Sequence, residues 1–217
     1  MKRTFAALAA LAPALALAQA TTWNIDPGHT QTGFTVRHLG ITNVRGEFKD
    51  TAGTVRLDEK DPSRSLVEVT IEAATVNTRQ DKRDAHLRST DFFDVERFPK
   101  ITFKSSKIVK AGAGYKVTGD LSMHGVTKPV VLEVAALTPA VKDHAGATRR
   151  GVSARGTINR QDFGLKWTKM VETVPVVGDE VKIEIEAELV KQAPEGTQSA
   201  QQGTPSVTTV KQPSMAR

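Results

Sequence analysis

Cysteine is absent from this 217-residue chain. That rules out disulfides, thiolate metal centres, a cysteine nucleophile and c-type haem attachment. The five histidines (His29, His38, His86, His124 and His144) form no close pair at ligand spacing, and H-E-x-x-H does not occur. The nearest approach to G-x-S-x-G is Gly151-Val152-Ser153-Ala154-Arg155, which lacks the final glycine. S-x-x-K, a glycine-rich phosphate loop and a dinucleotide fingerprint are also missing. Nor is charge of one sign segregated. The formal charge of +6 falls to +4 without Lys2 and Arg3, and bases and acids interleave as on a solvated sheet face. A nucleic-acid stripe is therefore not expected, and neither a catalytic residue nor a metal site is assigned.

The first 20 residues have the make-up of an export signal. Lys2 and Arg3 precede an apolar run from Phe5 to Leu17, too short for a bilayer span and containing Pro13. Ala18-Gln19-Ala20 fits the small-x-small cleavage pattern, so the expectation is export to the periplasm with cleavage after Ala20. No later apolar run is long enough to span a membrane. Residues 192–217 are rich in Gln, Ser, Thr, Gly and Pro and carry no aromatic residue, the composition of a disordered polar tail. One folded domain over 21–191 is left between them.

That domain reads as strands. Phe34, Val36 and His38 share one face of a period-2 pattern, as do Val67, Val69 and Ile71. Tyr115, Val117, Leu121 and Met123 repeat it, and Val181, Ile183, Ile185, Ala187 and Leu189 show it most clearly. Turn signals fall between the runs at Asp26-Pro27-Gly28, Asp50 to Gly53, Asp61-Pro62-Ser63, Ala111 to Gly114, Asp143 to Gly146 and Gly178-Asp179. No strand–helix–strand rhythm appears. About eight long antiparallel strands, each apolar on one face, suit an elongated barrel, either filled by side chains or holding a small ligand.

The alternation stops between residues 78 and 103, which hold four of the eight phenylalanines. Thr78-Arg79-Gln80-Asp81 predicts a capped helix running to about Arg88, followed by Phe92-Phe93 and Phe98-Pro99. With only Ala85 and Leu87 as apolar surface, such a helix must dock on the barrel end. Leu87, Phe92 and Phe93 would face in, either as a plug or as the wall of a pocket. Arg79, Lys82, Arg83, Asp84, His86 and Arg88 crowd this segment, and Arg160 and Asp162 precede Phe163-Gly164 at a second break. They make either a solvated face or a polar collar at a pocket mouth.

These residues resemble the YceI-like family over nearly the whole folded region. The resemblance rests on Asp26-x-x-His29-Thr30, Phe34-x-Val36-x-His38 and Gly46-x-Phe48. Its centre is Thr78-Arg79, Arg83-Asp84-x-His86-Leu87, Asp91-Phe92-Phe93-Asp94 and Phe98-Pro99-x-Ile101-x-Phe103. Gly119-x-Leu121, His124-Gly125-Val126-Thr127, Arg160-x-Asp162-Phe163-Gly164 and Gly178-Asp179-x-Val181 complete it.

The resemblance implies an all-β, eight-stranded antiparallel lipocalin-like barrel with a short helical excursion near 78–98. It also implies an apolar chain along the axis: a polyisoprenoid, quinone-like or fatty-amide lipid as ligand, with no cofactor and no established catalysis. A homodimer and transient contact with a membrane surface follow as partner expectations. Strand alternation selects Phe34, Val36, Phe48, Val69, Ile71, Phe103, Leu121 and Ile158 as apolar lining, and Phe92 and Phe93 join them from the excursion. His38, Arg79, Arg83 and Arg160 are head-group candidates. Two rivals remain: an extracytoplasmic enzyme on lipid-like substrates with His38 or His86 as acid–base, and a ligand-free interaction module with a packed barrel.

Overall fold

The computed structural model describes residues 20–193. The export signal therefore falls outside the described residues apart from Ala20, and so does the polar tail from residue 194 onward. Eight strands follow one another as neighbours: β1 (Thr21–Ile25 continued by Gln31–His38), β2 (Thr42–Phe48 and Thr51–Leu57), β3 (Leu66–Glu72 and Val76–Asn77), β4 (Lys100–Ala111), β5 (Gly114–Met123), β6 (Val126–Val134), β7 (Thr148–Asn159) and β8 (Val177–Lys191). Each pairs antiparallel with the next. Along its other edge β8 meets both halves of β1, and this closes the sheet into a barrel whose narrowest seam is the β6–β7 contact at Val134–Ala154 and Glu133–Arg155.

The first three strands are each interrupted. A 3₁₀ turn over Pro27–His29 breaks β1, Lys49 and Asp50 break β2, and a second 3₁₀ turn over Ala73–Thr75 breaks β3. Asp26-Pro27-Gly28 thus interrupts a strand rather than joining two. The Asp26 side chain accepts from the Gly28 N–H at 2.9 Å, which gives the backbone a local partner where the ladder is lost. Gly178-Asp179 is likewise no turn. It lies within β8, where the register against β1 shifts between Val177 and Val181 as in a β-bulge. His124 and Gly125 do form a turn, joining β5 to β6 with both residues left-handed (φ 52° and 75°), as two-residue hairpins require.

The connections alternate between two ends. The β1–β2 hairpin, the 78–99 excursion, the β5–β6 hairpin and the 160–176 segment share one end, called here the helix end. The chain's entry and exit strands and the 58–65, 112–113 and 135–147 connections share the other.

Helix α1 (Asp81–Arg88) ends where expected but starts differently. Gln80, not Thr78, caps it, its side-chain oxygen accepting from the Arg83 N–H at 2.7 Å. Arg79 turns left-handed (φ 62°) and separates Thr78 from the helix. The Thr78 N–H and hydroxyl instead both donate to the buried Asp84 carboxylate.

Candidate functional site

The barrel is hollow. Phe34, Val69, Ile71, Val130, Leu132 and Ile158 lie on inward faces yet are only partly buried, because they front empty space. A cavity of about 250 Å³ runs inside, and its wall exposes apolar surface only.

Its floor lies at the end away from the helix. Trp23 is 1% exposed and packs with Ile25 and Leu189 against Val55, Leu57, Leu137 and Val152. The guanidinium of Arg150 stands 5.4 Å from the Trp23 ring centre, on the cation–π pattern. Arg149 fixes the adjoining loop: it bonds Asp143 and Asp26 at 2.6 Å each, and Glu188 at 2.5 Å. Those hydrogen bonds hold the Asp26 carboxyl at about 2 and lower that of Asp143. Asp26, His29 and Glu188 are close enough to resemble a cation site. The Arg149 guanidinium already occupies both carboxylates there as their ion-pair partner.

At the helix end the cover is aromatic and aliphatic. Leu87, Phe92, Phe93 and Leu165 all line the cavity. Phe93 meets Phe48 edge-on at 5.5 Å, and Phe48 meets Phe34 at 5.7 Å, a ladder from the cover down the wall. Outside it, His86, Phe92 and Trp167 pack within 5.0–5.3 Å of one another. The His86 Nε2 atom pairs with Asp91 at 2.7 Å. Val36 and Val177 carry the apolar lining to the rim, beside the His38–Val177 pair.

All ten apolar residues selected from the sequence line this cavity: Phe34, Val36, Phe48, Val69, Ile71, Phe92, Phe93, Phe103, Leu121 and Ile158. The four head-group candidates do not gather. His38 sits at the rim, outside the lining, opposite Val177. Arg79 is exposed beyond the strand end. Arg83 is turned to Thr78, donating from Nε to its hydroxyl (2.7 Å) and from Nη2 to its carbonyl (2.9 Å).

Arg160 does reach the lining, but its donors face away from the lumen. They hold the carbonyls of Gly178 (3.0 Å), Leu165 (2.5 Å) and Trp167 (2.8 Å) and the carboxylate of Asp179 (2.9 Å). At 3% exposure it is a clamp for the 160–179 segment rather than a cation presented to a ligand. Thr32, the other polar lining residue, is satisfied by Thr51 at 2.9 Å.

Leu165 and Val177 are lining residues that the sequence pattern missed, since both lie at irregular backbone where no period signals a face. Ile183 and Ile185 were on a recognised inward face and could have been selected.

A closed antiparallel meander around an apolar cavity defines a lipocalin-like barrel. The chain belongs to the YceI family, whose YceI-like domain model matches residues 23–189. A UPF0312 protein of Photorhabdus laumondii is 44% identical over 151 residues, covering 69% of this chain and 78% of its own. Protein YceI of Escherichia coli O157:H7 is 43% identical over 138 residues, covering 64% and 72%.

Among solved structures, the Campylobacter jejuni YCEI protein superimposes with a TM-score of 0.62 at 33% identity, over 72% of this chain and 90% of that one. BcnA of Burkholderia cenocepacia gives 0.65 at 23% identity over 76% and 98%. A polyisoprenoid binding domain from Saccharophagus degradans gives 0.57 at 16% identity over 80% and 99%. The last two share the fold.

Proposed function

We propose that this protein binds one long apolar lipid chain, of isoprenoid, quinone-like or fatty-amide type, and carries or sequesters it outside the cytoplasm. The observation that carries this reading is the cavity wall, which offers no polar group to a ligand. Such a wall gains free energy by taking hydrocarbon out of water and would penalise a polar ligand body left without partners. The polyisoprenoid binding domain of Saccharophagus degradans shares the fold and lends support to the ligand class. The amino-terminal sequence supports export.

Binding without catalysis is part of the proposal. Of the two histidines named for an enzymatic rival, His86 is held between Asp91, Phe92 and Trp167, and His38 sits at the rim outside the cavity lining. The test is to recover the protein from the periplasm of an expressing bacterium, extract it with organic solvent and analyse the extract by mass spectrometry. A stoichiometric long-chain lipid is expected, and its removal should allow reloading with a long-chain prenol. An empty protein that also fails to bind prenols would sink the reading. Recovery only from the cytoplasm, with the amino-terminal segment intact, would overturn its extracytoplasmic part.

A further inference from the structure

Four of the seven exposed large apolar side chains among the described residues stand together at the helix end. Ile41 is 71% exposed on the β1–β2 hairpin. Met170 (51%), Val171 (49%) and Val174 (38%) lie on a small hairpin made by the pairs Met170–Pro175 and Val171–Val174. The two tips are joined. The Leu39 N–H donates to the Val176 carbonyl at 3.1 Å, and a side chain at Gly40 would touch the Val174 methyl at 3.8 Å. The other three exposed apolar residues, Val109, Val131 and Val141, are scattered along the barrel and its far loop.

The charge around the tips is one-sided. Residues 37–45 and 165–176 carry Arg37, Arg45, Lys166 and Lys169 against the single carboxylate of Glu172. Of these cations, Arg37 is turned back onto Gly40 and Asn43, while both lysines are exposed. Apolar points flanked by cations match an anionic bilayer surface, where the points enter the acyl boundary and the bases meet head groups. The same tips stand beside Val36 and Val177, where the apolar lining reaches the rim.

We propose that the paired tips at Ile41 and Met170–Val174 dock this end of the barrel onto an anionic lipid membrane. The proposal deepens the lipid-cavity reading by naming the surface with which the ligand is exchanged. The partner is a bilayer rather than a protein, because the patch is two small convex tips with basic flanks and not a groove.

Its test uses the purified mature chain and sedimentation with vesicles of phosphatidylcholine alone or containing phosphatidylglycerol. Binding to the anionic vesicles is expected, weakening as salt screens the lysines. Ile41→Ser with Met170→Ser should cut vesicle binding at least tenfold, and Lys166→Glu with Lys169→Glu should do so on anionic vesicles. Thermal melting and the co-purifying lipid should stay unchanged in both variants, because none of the four side chains lines the cavity.

Absence of vesicle binding, or variants that bind like the parent, would overturn the proposal. So would a serine variant that splits a dimer in light scattering while vesicle binding persists, since the patch would then fit a second copy. An empty cavity in a protein that still binds vesicles would reject the ligand reading and leave the docking surface standing.

Discussion

Phe34 and Gly46 face one another across β1 and β2, and the Phe34 ring lies where a side chain at 46 would stand. A Cβ there would collide with the end of that ring and come within 2.8 Å of the Thr78 methyl. The glycine is thus what lets the phenylalanine lie flat against the wall and keep the lumen open.

Gly46→Ala should therefore swing Phe34 toward the cavity axis. Overpacking of this kind costs about 1–3 kcal/mol, and long-chain binding should weaken more than short-chain binding. Titration with fatty acids of increasing length would show it. Equal loss at every length would mean that the ring moves elsewhere.

Phe92→Ala with Phe93→Ala removes the aromatic part of the cover. Because Phe93 continues the ladder through Phe48 to Phe34, we expect faster release of a fluorescent fatty acid, together with a stability loss of several kcal/mol, about 3–5 for a fully buried phenylalanine. Unchanged release from the folded variant would reduce the pair to a plug.

Arg160→Lys replaces a planar fork by a point charge that cannot span three carbonyls and Asp179. Leaving buried carbonyls unpaired costs about 1–3 kcal/mol, visible in urea melts. The freed 163–176 segment includes Trp167, so its fluorescence should shift toward that of exposed indole. An unaltered spectrum and an unaltered melt would reject the clamp.

Asp26 sets an acid limit. Its carboxyl lies at about 2, below the ordinary 3.8, chiefly through its hydrogen bond with Arg149. A depressed acid stabilises the fold fully above its ordinary value, and the gain is lost as pH falls from about 4 through 2. Asp143 shifts the same way. Melting temperature should drop across that window, and Asp26→Asn should lower it at pH 7 while flattening the acid limb. A variant that keeps the full acid limb would assign it to other carboxylates.

Much of the barrel is legible because inward and outward residues alternate on every strand, and eight of the ten lining residues follow from that period; Phe92 and Phe93 follow from the need to bury the aromatics of the excursion. The interruptions are not. Asp-Pro-Gly offers the same local hydrogen bonds whether it ends a strand or breaks one, and only the partner strand β8, running on past it, distinguishes the two. Arg160 was recognised as a cation at a strand break, but its acceptors are carbonyls up to 18 residues away. Backbone carbonyls leave no trace in residue type, so clamp and head-group roles look alike in sequence. The apolar hairpin at Met170–Pro175 was hidden for a related reason: two paired residues on each side are too few to show a period.

The sealed Trp23 floor gives the molecule a direction. A conduit open at both ends could pass a chain through, but a blind tube must return its contents by the way they came. A lipid with a polar head would enter tail first, since the cavity wall offers the head no polar group. The head would then always emerge at the same rim. Loading and unloading would be one path run backwards, so whatever receives the lipid must approach the same face as whatever supplied it.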